Sequence, residues 1–375
     1  MNHADLAQGL LEAVRVQGFA QTPDSLLGGA PVDAHPSIDL AVARFEPGAA
    51  PVWANVLFSR DYPQGFVATI GADASAVSDV SFLADLLDAE YESPAWQPGA
   101  DWSALPFKPF FGNGPRRFVS PYPGSLIKTM VLVGVARAVD AGRTSWDRLL
   151  TESGKSGDMR PLRDWALDMT AISCNRATDV LIAHLHALGV LDDETHGPHE
   201  LHRLFASRGL PGLRLARTRP DGGWRNYAGA GVGQLQMTAW DALRLFWLID
   251  PDAPPPPWLP IGRAPLLEGS REFVMHCLRS QRLNQVLSSG ALRELPGWRP
   301  GIPDGDACYA HKTGNTENYC SDAGIVRIKD GTRSRHYLVA VTTNLGSRYA
   351  PHPDALTTWK LPSLGAAIDT LMQQP

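Results

Sequence analysis

Apolar residues recur with two different periods along this chain. Between residues 4 and 17, Leu6, Leu10, Leu11 and Val14 fall on one face of a helix. Ile38–Phe45 and Val52–Phe58 are instead β-rich, and the Glu46-Pro47-Gly48-Ala49-Ala50-Pro51 stretch between them has turn chemistry, so the two predict a hairpin. Residues 66–70 suggest another strand and 78–87 a helix. Residues 93–117 are dense in Pro, Gly, Trp and Phe and read as a long loop. Its rings either staple it to the core or wall a substrate pocket.

From Ser125 to about residue 295 the texture is helical. A long apolar helix starts at or near Ser125, and others are predicted over 161–167, 176–188, 199–207, 238–249 and 271–292, the last broken near its middle. Pro251 to Pro257, with four consecutive prolines, make a stiff surface connection. Strand texture returns over 308–312, 323–328 and 337–343, with Gly331 turning between the last two, and residues 361–372 predict a closing helix. No internal repeat interrupts this order. Strands at both ends and helices between them predict an α+β fold: one antiparallel sheet built from both chain ends, flanked by the terminal helices, with an all-helical domain inserted. The expected division is 1–120, 121–300 and 301–375, with a cleft where sheet and helical part meet.

Composition narrows the function. The 375 residues are 44% hydrophobic and 19% charged, with a net charge near −5, which leaves no basic footprint for nucleic acid or an anionic membrane. No apolar run is long enough to span a bilayer, and the first dozen residues lack the basic and apolar regions of a secretory signal. Cys174, Cys277, Cys308 and Cys320 have no metal-ligand spacing. The expectation is a cytoplasmic protein with reduced thiols and neither metal nor organic cofactor; oligomeric state is not legible.

Three short stretches carry chemistry. Pro121-Tyr122-Pro123-Gly124 is a turn that delivers Ser125 to a helix start, and Lys128 follows one turn on. A serine hydroxyl needs a neighbouring base, and a lysine serves only if burial lowers its pKa. The flanking Leu126, Ile127, Met130, Val131 and Leu132 predict that burial. Among 34 Lys+Arg only six are lysines, and one of these has Ser three residues before it. Next, Ser173-Cys174-Asn175 is a polar break between helices. Ser173 can relay a proton and Asn175 can hold a substrate amide. Equally, Ser173 or Asn175 can be a plain helix N-cap. Last, His311-Lys312-Thr313-Gly314-Asn315 closes a strand. It offers a fixed cation, a donor, and a glycine that lets a ligand approach the backbone. Its plain reading is an edge strand with a protective lysine.

In that order S-x-x-K, S-x-N and K-T-G are the signature set of the penicillin-interacting serine enzymes. The chain resembles the β-lactamase and penicillin-binding-protein superfamily, most closely its class A β-lactamase branch, over roughly residues 120–345. The resemblance implies Ser125 as acylated nucleophile and Lys128 as its base. It implies Ser173 as proton shuttle, and Asn175 and Thr313 as substrate contacts. Lys312 would support Ser173, with Gly314 beside the ligand and the N–H groups of Ser125 and Asn315 as oxyanion hole. The substrate would be a small ester, amide or lactam. Two departures stand out: Cys174 replaces the usual Asp, and the Glu-x-x-Leu-Asn motif that supplies the deacylating base in class A enzymes is missing between His196 and Gln236. The carboxylates there are Glu200 and Asp221, read as a solvated helix residue and a turn residue. Hydrolysis of an ester or amide through an acyl-enzyme is the first expectation. A β-lactamase with unconventional deacylation, and a non-hydrolytic penicillin binder or acyltransferase, are the others. His311 and Tyr319 are expected to be scaffolding.

Overall fold

The computed structural model describes the chain except residues 86–92, 153–158, 225–234, 261–263, 305–308, 330–333, 350–358 and 375. Helix α1 (His3–Arg15) opens it, with the Asn2 side chain accepting from the Asp5 N–H at 3.0 Å. The hairpin β1 (Ile38–Phe45) and β2 (Val52–Phe58) forms where the sequence predicts it, and a short β3 (Phe66–Val67) extends it. Then come β4 (Val80–Ala84), β5 (Lys108–Phe111) and β6 (Arg116–Ser120). The helical stretch holds α2 (Lys128–Asp140), α3 (Leu162–Ala171), α4 (Asn175–Ala187), α5 (Glu200–Ser207), α6 (Ala239–Ile249) and α7 (Glu268–Arg279). β7 (Tyr309–Asn315), β8 (Cys320–Ile328), β9 (Arg335–Thr343) and α8 (Lys360–Leu371) complete the chain.

Six strands pair antiparallel in the order β7-β8-β9-β1-β2-β3, so both chain ends contribute to one sheet. Register sets the two faces. Ile38, Leu40 and Val42 of β1, with Val339 and Val341 of β9, pack under α1 and α8. The alternate residues Ala41, Ala43, Leu338 and Ala340 face the helical block. Between sheet and block runs α6, all of whose residues are buried; a helix apolar on every side belongs in an interior. Its first N–H, on Ala239, donates to Asp39 Oδ2 of β1 at 2.8 Å, and burial raises that carboxyl to about 6.

Three local expectations fail. Residues 80–84 are strand, not helix: β4 lies between β5, antiparallel, and β6, parallel, in a second small sheet. Val80 and Phe82 plug into the main core from one face of β4, and this tertiary pairing overrides helical propensity. Residues 86 and 87 lie outside the described set. The aromatic stretch is not plain loop, since it contains β5 and the start of β6, and Trp96, Trp102 and Phe107 pack with Leu83 and Val119 in a satellite core. The stapling reading holds. Finally, α7 stops at Arg279, near the break expected in 271–292, but the second half of that stretch is not helix apart from the 3-10 turn Gly290–Leu292. Buried Gln281 donates to Thr170 O at 3.1 Å and accepts from Leu283 N at 2.9 Å, which diverts the chain. The Gly331 turn and Cys308 fall outside the described residues. Among those residues, no helix is long and apolar enough to cross a membrane.

Candidate active site

The nucleophile turn is clamped from both sides. Gly124 has φ +54°, a left-handed value that favours glycine. Residues Gly124–Ile127 form a 3-10 turn and α2 begins only at Lys128, later than the sequence predicts. Ser125 is the half-exposed residue in an otherwise buried run. The end of β7 presses on this turn so closely that a Cβ on Gly314 would lie 2.8 Å from Ser125 N and 2.4 Å from Pro123 O. A Cβ on Gly124 would meet Asn315 N at 3.5 Å. Glycine at both positions therefore brings the backbone of Ser125 and that of Asn315 together. Ser321 of β8, a residue that sequence reasoning passed over, donates through Oγ to Pro123 O at 2.6 Å and fastens the turn to the sheet.

Ser173 sits between α3 and α4 with φ +57°, a conformation that costs a non-glycine residue about 1–2 kcal/mol. The helix cap is neither Ser173 nor Asn175 but Cys174, whose sulfur accepts from the Ala177 N–H. Ser173 is thereby left for other partners. The Lys128 amine donates to Ser173 O at 2.6 Å, Ser173 Oγ at 3.2 Å and Asn175 Oδ1 at 2.7 Å. From the far side Lys312 donates to the same Oγ at 3.1 Å and to Thr313 O at 2.7 Å. Residues 45 and 139 positions from Ser173 thus meet on one hydroxyl.

Two amines on one hydroxyl, in a buried setting, disfavour two charges. Burial lowers Lys128 from 10.5 to about 8, against the opposing pull of Cys174 and Asp179. Lys312, fully buried, is pushed well down by burial and then by the Lys128 charge. No hydrogen bond joins Lys128 to Ser125, although the two were expected within reach; the three acceptors named above use its donors. Asn175 is exposed beside them, whereas Thr313 is only 2% exposed. His311 and Tyr319 are buried as scaffolding. His311 Nδ1 faces Asp322 Oδ1 at 2.7 Å, and Tyr319 OH donates to Asp85 Oδ2 at 2.7 Å.

Residues 119–359 match the model of the family described as the Beta-lactamase enzyme family, which is well over half of the chain. The chain belongs to that family. Among solved structures, PBP-A is similar at 17% identity and a TM-score of 0.51, over 99% of this chain and 96% of its own. A PBP-A mutant captured as an acyl-enzyme with penicillin G matches equally, over 99% and 97%. A beta-lactamase from Sphaerobacter thermophilus is 17% identical over 67% of this chain and 82% of its own, with a TM-score of 0.45. Comparison with curated proteins gives no match. At these identities the likeness to PBP-A is one of fold.

The two carboxylates of the 196–236 stretch are both held in ion pairs. Glu200 sits on α5 and pairs with Arg143 through Oε2 at 2.9 Å and Oε1 at 2.5 Å. Asp221 is an exposed turn residue paired with Arg219 at 2.9 Å. A third was missed: Asp179, one turn beyond Asn175 on α4, half-buried under the Gly222-Gly223 turn and within electrostatic range of Lys128. Burial raises its carboxyl. Its place four residues after Asn175 was the available signal.

One group could be taken for a metal centre. Ligand atoms of Glu194, His199 and His202 lie within 4.8 Å of one another. Every ring nitrogen there is already used. His202 Nε2 accepts from Leu215 N at 2.8 Å, so Nδ1 carries the proton and donates to Glu194 at 2.9 Å. His199 Nδ1 accepts from His202 N at 3.2 Å, and Nε2 donates to Leu215 O at 2.9 Å. No ring nitrogen is left for an ion, and one carboxylate alone does not make a site.

Proposed function

We propose that the chain is a serine hydrolase that cleaves a small ester or amide through an acyl-enzyme on Ser125. The observation that carries this reading is the Ser173 hydroxyl held between the amines of Lys128 and Lys312 at 3.2 and 3.1 Å, beside the Ser125 turn. In the proposed sequence, neutral Lys128 turns from Ser173 and takes the Ser125 proton as Oγ attacks the substrate carbonyl. The N–H groups of Ser125 and Asn315 receive the oxyanion; losing one such donor typically costs about 3 kcal/mol. Ser173 gives its proton to the departing alcohol or amine and recovers one from the Lys128 ammonium. Lys312, with Thr313, meets a substrate carboxylate, and Asn175 offers its NH₂ to the substrate's amide side. Water then cleaves the acyl ester and Ser125 regains its proton.

Deacylation separates the variants of this proposal. Glu200 and Asp221, the two carboxylates expected in the deacylation region, are tied up in ion pairs. A bulky penicilloyl ester would therefore persist, while small acyl esters turn over. PBP-A, whose mutant holds penicillin G as an acyl-enzyme, supports this second, penicillin-trapping reading. The reading keeps the three-part division at 1–120, 121–300 and 301–375, and action in the cytoplasm, for which the free thiols of Cys174, Cys277 and Cys320 are the support. The test is turnover of a chromogenic ester and a chromogenic cephalosporin by the wild type and by Ser125→Ala. Loss of all turnover in the variant is the expected result. Retained turnover of both substrates overturns every form of the proposal.

A further inference from the structure

Past the end of α7 the chain forms a second cleft, of about 560 Å³, that none of the three motifs lines. Arg279, Arg282 and Arg293 face it, with Asp304 as the one carboxylate and Asn284 and Tyr309 among its polar lining. Arg293 pairs with Asp304 at 2.9 Å. Arg279 and Arg282 form no ion pair among the described residues. Two uncompensated guanidinium groups in one recess are notable on a chain of net charge −5. Like charges held together repel, and an anion between them removes that cost. Guanidinium forks suit the paired oxygens of phosphate and carboxylate groups.

Tyr309 of β7, 2% exposed, also lines the cleft, its hydroxyl beside the buried Asp322 carboxylate. The cleft leans on supports of the serine site. Asn284 Oδ1 meets His311 Nε2 at 2.7 Å, and the Tyr309 ring stacks on His311 at 3.9 Å, one residue before Lys312. Arg282 N donates to Ala171 O at 2.9 Å, two residues before Ser173.

We propose that this cleft is a second binding site, for a small multivalent oxyanion, separate from the Ser125 site and resting against the strand and loop that carry Lys312 and Ser173. Phosphate esters and polycarboxylates share the required chemistry.

The probes are inorganic pyrophosphate and citrate, titrated by calorimetry into the full chain at constant ionic strength. Saturable binding of at least one is expected, with affinity weakened about tenfold or more in Arg279→Gln/Arg282→Gln, because charge-assisted hydrogen bonds are lost. A preference for pyrophosphate assigns the site to phosphate, and one for citrate assigns it to polycarboxylates. Arg282→Gln alone serves if the double variant does not fold. Ser125→Ala must bind as the wild type does, which keeps the outcome independent of any acyl-enzyme. Absence of saturable binding by both probes, or equal affinity in wild type and variant, overturns the proposal. Loss of binding in Ser125→Ala or in penicillin-treated protein also overturns it, by moving the anion to the serine site.

Discussion

Two buried polar clusters in this molecule are built on opposite principles. In one, His199, His202 and Glu194 hold the segment around Leu215, and each ring nitrogen has one partner. Burial, with His199 and Arg214 nearby, lowers His202 to about 3. His202 therefore stays neutral across the physiological range. In the other, two lysines converge on one serine hydroxyl and the Lys128 amine titrates near 8. The first cluster is complete and structural. The second has a proton free to move, and catalysis requires that freedom. Buried polar groups are therefore ranked as functional candidates by whether they can change protonation, not by burial alone.

Substitutions test this contrast, starting with the largest effect. Lys128→Ala should slow acylation roughly 10³-fold, the usual contribution of a general base, while far-ultraviolet circular dichroism and thermal midpoint stay near wild type. A collapse in thermal stability would make Lys128 a structural residue instead. The mirror experiment is His202→Leu. It strands the Leu215 N–H and the Glu194 carboxylate, so unfolding stability measured in denaturant should drop by about 2 kcal/mol while acylation per folded molecule is unchanged. A loss of acylation without a loss of stability would invert the comparison.

The pH profile sharpens it. Lys128 accepts a proton only when neutral, and its neutral fraction grows as pH rises through about 8. The rate of acylation at low substrate should climb through that range and level off above it, with the apparent pKa belonging to the coupled lysine pair. A flat profile from pH 6 to 10 would be inconsistent with Lys128 as the base. The smallest effect belongs to Asp179→Asn. The Asp179 charge helps hold the Lys128 ammonium, so removing it should move the profile slightly toward lower pH. A shift toward higher pH would contradict the assigned electrostatics.

Much of the fold was legible because its signals are periodic. The β-rich runs Ile38–Phe45 and Val52–Phe58 with a turn between them, and the helical spacing of Leu6, Leu10 and Val14, were enough to place the hairpin and α1. β4 was misread because Val80, Phe82 and Ala84 alternate inside a stretch that also suits a helix, and only pairing with β6 decides between them. The three motifs were legible as types in order, and they meet in space. What stayed hidden depends on long-range contact: Ser321 on the nucleophile turn, Cys174 rather than its neighbours as helix cap, and the histidine clasp. None of these has a short-range pattern of its own.

The central claim is that Ser125 becomes acylated. The most direct measurement is an intact-mass time course after mixing the protein with a penicillin, with Ser125→Ala alongside. The account predicts a covalent adduct of the whole penicillin on the wild type alone, decaying slowly because Glu200 and Asp221 are occupied elsewhere. An adduct that also forms on Ser125→Ala would contradict the assignment of the nucleophile.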